Sequence, residues 1–509
     1  MGIFSNKSDH PLASIKSVQQ LLNTQSKTDV VVVLDETGHW IDELFDPENA
    51  FRLDHQFAVL RMLDDAAHPY LRRNTNSYFA VIPPAQFQEN RLLSSMDRYS
   101  AACVKGYSHL IRGIVNREKG SSAIKSEIPL ISARGIYAVF GKLECAGVRY
   151  DKIDQQLWND LAAMYACAEQ ESCQDKPLAI YVSMGLVTSV EHLFASAIMW
   201  YGVGEGTLKP KDLHIAKLLM LYMCKAFSVS EQAQEDSLFA LDLGNPALPA
   251  RVTNEGAMYP DGMRFVNIGP APGHLDNLLK TLGKGLVPEE LNFGVPYSAE
   301  VVADVVRRLA AYCKLPLPVR RQQRKKIKVN INASYGYLNA LELADEGLNI
   351  QGSASKICAL EDISLNGIRF VLDTSQLNSI NIGTLVGMRP ENSKYFGVGI
   401  VRRLKRDEKN NLHVGVRILS NKTEVVLLYS EAAGNAATLA LLLDYAEAQR
   451  GESWILVPAD TYLPNINLNM RLGDKNNLLI PIDVVEKGED FDLARYRRLE
   501  QESDVDLVA

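Results

Sequence analysis

Two short clusters hold the residue types that could do chemistry: Arg320-Arg321-Gln322-Gln323-Arg324 and Asp362-Ile363-Ser364-Leu365-Asn366-Gly367. Guanidinium groups are planar and permanently charged, so they grip phosphate oxygens bidentately and lie flat against purine rings. Arg320 and Arg324 follow Leu315-Pro316-Leu317-Pro318, where the prolines favour an extended path over a helix. Asp362 supplies an acceptor for the N–H edge of a guanine. Ser364 adds a hydroxyl, and Gly367 leaves room for a ligand or a neighbouring backbone. Arg321 either reaches a phosphate or faces solvent, and the sequence leaves both open. The plain alternatives are a solvated basic segment for the first cluster and an ordinary turn for the second. In such a turn Asp and Ser bond their own backbone and glycine supplies positive φ.

Other chemistry finds little support. The chain has no H-E-x-x-H, G-x-S-x-G or G-x-x-x-x-G-K-[ST] run. Its 9 histidines show no metal-ligand spacing, so we expect no metal, no cofactor and no enzyme. Asp64-Asp65 and Glu289-Glu290 read as solvated faces, and His109 and His192 as satisfied residues on helices. A net charge of −7 argues against DNA binding and makes the basic run from Arg320 to Lys328 a local exception. The 7 cysteines form no C-x-x-C pair and read as reduced, buried thiols. No stretch reaches the roughly eighteen apolar residues of a membrane span, and the start has no basic-then-apolar leader. A cytoplasmic location is expected.

The elements that must position these clusters change character along the chain. Residues 1–314 read as mainly helical. Val30, Val33, Leu34, Thr37, Ile41 and Leu44 follow a helical period despite the valine run, and further helices are expected at 51–73, 86–117, 133–146, 154–170, 186–201 and 210–227. Residues 240–296 are rich in Gly and Pro, with a strand-like Met263–Ile268 and a helix from Leu275. The helix Ala299–Lys314 follows the N-cap Ser298, and Pro316 and Pro318 end it. From Lys325 the apolar period switches to two. Strands are expected at Lys326–Ile331, Lys356–Glu361, Gly367–Asp373, Thr384–Arg389, Gly397–Leu404, Leu412–Leu419 and Glu424–Leu428, as a small antiparallel barrel. A helix Ala436–Arg450 stopped by Gly451 should follow. Strands at Trp454–Pro458, Leu468–Leu472 and Leu478–Val484 would then pack on the barrel. The expected division is a helical platform or output region 1–314, an arginine linker 315–325 and a barrel with trailing helix 326–451. After these come a β-rich appendix 452–499 and a disordered acidic tail 500–509.

R-x-x-x-R at Arg320 and Arg324, followed on strands by D-x-S-x-x-G at Asp362, Ser364 and Gly367, resembles the PilZ domain. That family comprises bacterial receptors for the second messenger cyclic di-GMP. The resemblance covers roughly residues 319–429. The long spacing from Arg324 to Asp362 departs from compact members and implies an enlarged hairpin around Tyr337–Ser353. Such domains often carry a helix after the barrel, which suits the one expected at 436–450. The resemblance implies a cytoplasmic, bacterial cyclic di-GMP receptor. In it Arg320 and Arg324 clamp phosphates and guanine faces, while Asp362 and Ser364 bond base or phosphate. Ordering of the linker around the ligand would relay the signal through the helical domain to a protein partner. The alternative is an interaction scaffold whose barrel no longer binds nucleotide. One ligand or a stacked pair, the partner, the process controlled and the oligomeric state stay open.

Overall fold

The computed structural model describes residues 10–25, 27–252, 259–314, 324–327, 329–345, 348, 355–364, 366–372, 380–391, 393, 395–430, 437–444, 451–472 and 475–501. The chain divides into two compact units, one of residues 1–149 and 153–317, the other of residues 150–152 and 318–509.

The first unit is mainly α. Ten α-helices lie among its described residues, among them Val30–Leu44, Leu53–Tyr78, Gln86–Val115, Ile128–Val148, Gln155–Gln170, Val190–Gly204 and Pro210–Tyr222. Val33, Leu34, Thr37, Ile41 and Leu44 are the buried stripe of Val30–Leu44, and Asp29 caps it by accepting from the Val31 N–H. The helical period therefore overrides the β preference of the valines. Ile128–Val148 and Val190–Gly204 are buried nearly all round and form the centre of the bundle. The Gly- and Pro-rich stretch contributes a four-stranded antiparallel sheet that includes Ser237–Asp242 and Met263–Asn267, followed by the helix Ala271–Leu282. Asp64, expected on a solvated face, is 1% exposed. Its carboxylate accepts from the hydroxyls of Tyr99, Tyr107 and Tyr181 and pairs with Arg134. Buried carboxylates persist only with such partners.

The second unit contains two six-stranded antiparallel barrels. The first runs Asn330–Tyr335, Lys356–Ser364, Gly367–Leu372, Leu412–Ser420, Gly397–Arg406, Leu385–Pro390 and back to Asn330–Tyr335; the short strand Lys325–Lys326 adds to the edge of Lys356–Ser364. The expected enlarged hairpin holds a helix, Tyr337–Ala344.

Four expectations change here. The segment expected to be the helix Ala436–Arg450 instead carries the strand Ala437–Leu443; residues 445–450 lie outside the described ones. Thr423–Tyr429, where Glu424–Leu428 was expected as the last strand of the first barrel, opens a second one. That barrel continues through Ala437–Leu443, Glu452–Pro458, Phe491–Gln501, Lys475–Lys487 and Leu468–Leu472 and closes on Thr423–Tyr429. The expected appendix 452–499 is thus most of a closed barrel, and closure removes the exposed edges of its strands. Finally, Glu500 and Gln501, placed in a disordered tail, end a strand and pair with Asn477 and Asn476; residues 502–509 lie outside the described ones.

Alternation explains the packing. Ala440, Ile455, Val457, Ala494 and Tyr496 fill the second barrel, whereas Leu441, Leu443, Trp454, Leu456, Phe491 and Leu493 turn outward. These outward residues meet Leu385, Val398 and Ile400 of the first barrel, with Tyr337, Ala340 and Leu341 of the short helix in the same core. The two barrels are joined through a shared apolar layer.

Candidate functional site

Asp362 sits where the interior row of the first barrel runs out. Along Lys356–Ser364 the residues Cys358, Leu360 and Asp362 share one face, and all three are buried. A carboxylate in that row needs cationic partners, because desolvation without pairing costs several kcal/mol. It has two. Arg324 Nη1 donates to Oδ1 at 2.7 Å. Arg369 Nε lies 3.0 Å from Oδ2 and 2.7 Å from Glu361 Oε2, a charge contact without the alignment of a hydrogen bond to either. Arg369 is the cross-strand partner of Asp362 in the hairpin, which bulges just beyond it.

Ser364 and Gly367 build that hairpin. They are register partners, and Ser364 Oγ donates to the Gly367 carbonyl at 3.1 Å. A Cβ on Gly367 would stand 3.1 Å from the Val416 carbonyl oxygen of the adjoining strand. The glycine is therefore needed for close approach, not for positive φ. Arg320 and Arg321 lie outside the described residues.

Beside Asp362 the barrel carries a concave basic face of about 720 Å³. Its lining includes Arg324, Arg369, Arg403, Lys405, Arg406 and Lys409, against the acids Asp407 and Glu408. His413 lines it too, with Nδ1 3.0 Å from Glu361 Oε2 and Nε2 3.3 Å from Asp407 Oδ2. Asp407 opens the turn between Gly397–Arg406 and Leu412–Ser420. The Asn411 side chain, with backbone N–H groups and His413, holds its carboxyl down at about 2. Arg324 and Arg369, the partners of Asp362, belong to this face, whose excess of cations suits a polyanion bearing phosphates. Asp362, Ser364 and Gly367 do not themselves line it.

Sequence reasoning picked out Arg324 and Asp362, which the fold brings into contact, and missed Arg369 and the cations of Gly397–Arg406. Arg369 had a signal. Folding Asp362-Ile-Ser364-Leu-Asn-Gly367-Ile-Arg369 about its turn sets Arg369 opposite Asp362. Arg403, Lys405 and Arg406 had none, because it takes the pairing of Gly367–Leu372 with Leu412–Ser420, far apart in sequence, to bring them to the same face.

Comparison with known proteins gives two findings. The family model described as "Cyclic-di-GMP receptor FimW, N-terminal domain" matches residues 16–232, within the helical unit. Among solved structures, the Borreliella burgdorferi PlzA protein in complex with c-di-GMP is 9% identical, covering 35% of this chain and 87% of that one, with a TM-score of 0.14. A score that low carries no weight for the fold of this chain. Curated proteins offer no match. Among the described residues, no helix is long and apolar enough to cross a membrane.

Proposed function

We propose that the chain is a cyclic di-GMP receptor whose first barrel is a PilZ-like domain and binds the ligand at Arg324, Asp362 and the adjoining basic face. The observation that carries this reading is the Arg324–Asp362 ion pair at the edge of a cation-rich surface. The family description matched by residues 16–232, a cyclic-di-GMP receptor N-terminal domain, supports it from a separate part of the chain.

The ligand carries two phosphates and two guanines. A phosphate oxygen competes with the Asp362 carboxylate for the Arg324 guanidinium. Once that pair opens, Asp362 accepts from the N1–H and N2–H₂ edge of a guanine. Arg320 would grip the second side of the same ligand, and Arg321 a phosphate where it reaches one. Ser364 and Gly367 act mainly by holding the hairpin that presents Asp362. The reading is binding without turnover, in a cytoplasmic bacterial protein whose helical domain passes the signal to a protein partner.

Titration calorimetry of the full chain with cyclic di-GMP tests it. Micromolar or tighter binding is expected, weakened about ten- to a hundred-fold by Arg324→Ala, since a charged hydrogen bond contributes roughly 1.5–3 kcal/mol net. No heat from folded wild-type protein would sink the reading and leave a barrel that serves as an interaction scaffold.

A further inference from the structure

The helical unit holds a partly open cavity of about 170 Å³ among Leu53–Tyr78, Gln86–Val115, Ile128–Val148 and Pro210–Tyr222. It lies far in sequence from the barrel residues and none of them lines it. Leu71, Met96, Leu186, Leu218 and Phe293 supply apolar wall, and Tyr137 and Tyr181 supply aromatic wall. At the rim, Arg72 Nη2 donates to Asn292 Oδ1 at 2.6 Å. An apolar cavity of about 150 Å³ is large enough for a benzene ring.

The charges inside are already matched. Asp64 pairs with Arg134, and Glu144 pairs with Lys217 at 2.8 Å. Arg72, which meets only the neutral Asn292, leaves one cation at the rim, while the carboxylates and the lysine deeper in are matched, so the interior away from that rim suits a neutral molecule. One polar group is left over. His214 lines the cavity at 3% exposure. Its Nδ1 meets Glu144 Oε1 at 2.7 Å, which fixes the proton on Nδ1, and its ring stacks on Phe79 with centroids 4.1 Å apart. In the neutral ring Nε2 is then an acceptor, and it is buried without a hydrogen-bond partner. Buried polar atoms rarely stay unpaired, and a ligand donor satisfies this one once a small turn of the ring opens Nε2 to the cavity.

We infer that the helical unit holds a second binding site, for a small neutral aromatic molecule that donates an N–H or O–H to His214 Nε2. It is independent of the nucleotide reading and can be tested without nucleotide. The probes are indole, which donates through its N–H, and benzofuran, the same shape without a donor. Binding to the full-length protein is followed by equilibrium dialysis. Indole should bind, and benzofuran should bind at least ten-fold more weakly. Leu218→Trp fills the cavity and should abolish indole binding while the protein still melts cooperatively. If that variant does not fold, Met96→Trp on another wall replaces it. His214→Phe keeps the stack on Phe79, removes the acceptor and should erase the preference for indole over benzofuran. A folded wild-type protein that binds no indole up to its solubility overturns the inference. So does equal affinity for the two probes, or a cavity-filled variant that binds indole as the wild type does.

Discussion

Asp362 shows how a fold accommodates a charge at the end of an apolar row. The residue continues an interior row, so its carboxylate is taken largely out of water, and the two guanidiniums beside it restore what solvent no longer provides. Those arginines stay partly in solvent, at 30% and 44% side-chain exposure, so their attraction to Asp362 is screened and contributes at most about 1 kcal/mol to stability. In the proposed site their value is in recognition. Arg369→Ala should therefore lower affinity for cyclic di-GMP by about ten-fold or more while shifting the melting temperature little. Calorimetry and a thermal melt on the same preparation separate the two, and an Arg369→Ala protein that binds like wild type removes Arg369 from the site. The helical unit holds charges of the opposite kind, buried and structural. Burial pushes the Glu144 carboxyl up, but Lys217 and His214 outweigh it and hold it down at about 2. Burial, with Arg134 nearby, pushes His68 down to about 4. In both cases the unfolded chain binds the proton more readily. His68 thus removes stability as pH falls from its ordinary value of 6.5 towards 4, and Glu144 removes more between 4.5 and 2. Acid melts followed by far-UV circular dichroism should show helix loss beginning below about pH 6.5. A helical signal whose melting temperature is flat from pH 7 to about pH 4 would contradict this.

At the scale of elements, legibility followed periodicity. Helices such as Val30–Leu44 could be read because they bury one stripe, here Val33, Leu34, Thr37, Ile41 and Leu44. The strand Ala437–Leu443 could not. It is packed on both faces, with Ala440 inside the second barrel and Leu441 and Leu443 in the layer between barrels, so its apolar run has no alternation to betray a strand. Alanine and leucine also favour helix locally, and tertiary pairing with Thr423–Tyr429 and Glu452–Pro458 overrides that preference. The same double burial hid the second barrel, whose strands looked like leftovers once Ala437–Leu443 was read as helix. At the candidate site, the hairpin residues were legible from local spacing, whereas Arg403, Lys405 and Arg406 reach it only through the pairing of Gly367–Leu372 with Leu412–Ser420, strands far apart in sequence. The interbarrel layer has a measurable weight. Leu441 is fully buried there, and Leu441→Ala should cost about 2–5 kcal/mol in urea unfolding. A loss below about 0.5 kcal/mol, the scale of a surface substitution, would mean that this layer is not packed as described.

For the whole molecule, the division into two units with separate cores makes a thermodynamic statement. The helical unit buries one large cluster of its own, and the barrels bury theirs between and within themselves. Separate cores allow separate melting, and a ligand stabilises the unit whose folded state it binds. Scanning calorimetry of the full chain should resolve two transitions. Cyclic di-GMP at about a hundred times its dissociation constant adds roughly 2.7 kcal/mol to the unit that holds it. For a unit of this size that moves its midpoint by ~5–10 °C. The transition that moves should be the one weakened by Leu441→Ala, because Leu441 and Asp362 belong to the same unit. The transition lost first in acid, which belongs to Glu144 and His68, should stay in place unless binding is passed on to the helical unit. A shift in that second transition would therefore measure the coupling that a receptor needs to act on a partner. With Arg324→Ala, binding ten- to a hundred-fold weaker leaves about 1.4 to 0.4 kcal/mol at the same ligand concentration, so both shifts should shrink together. If the helical transition alone responds to cyclic di-GMP, the nucleotide binds in the helical unit and the barrel site is wrong.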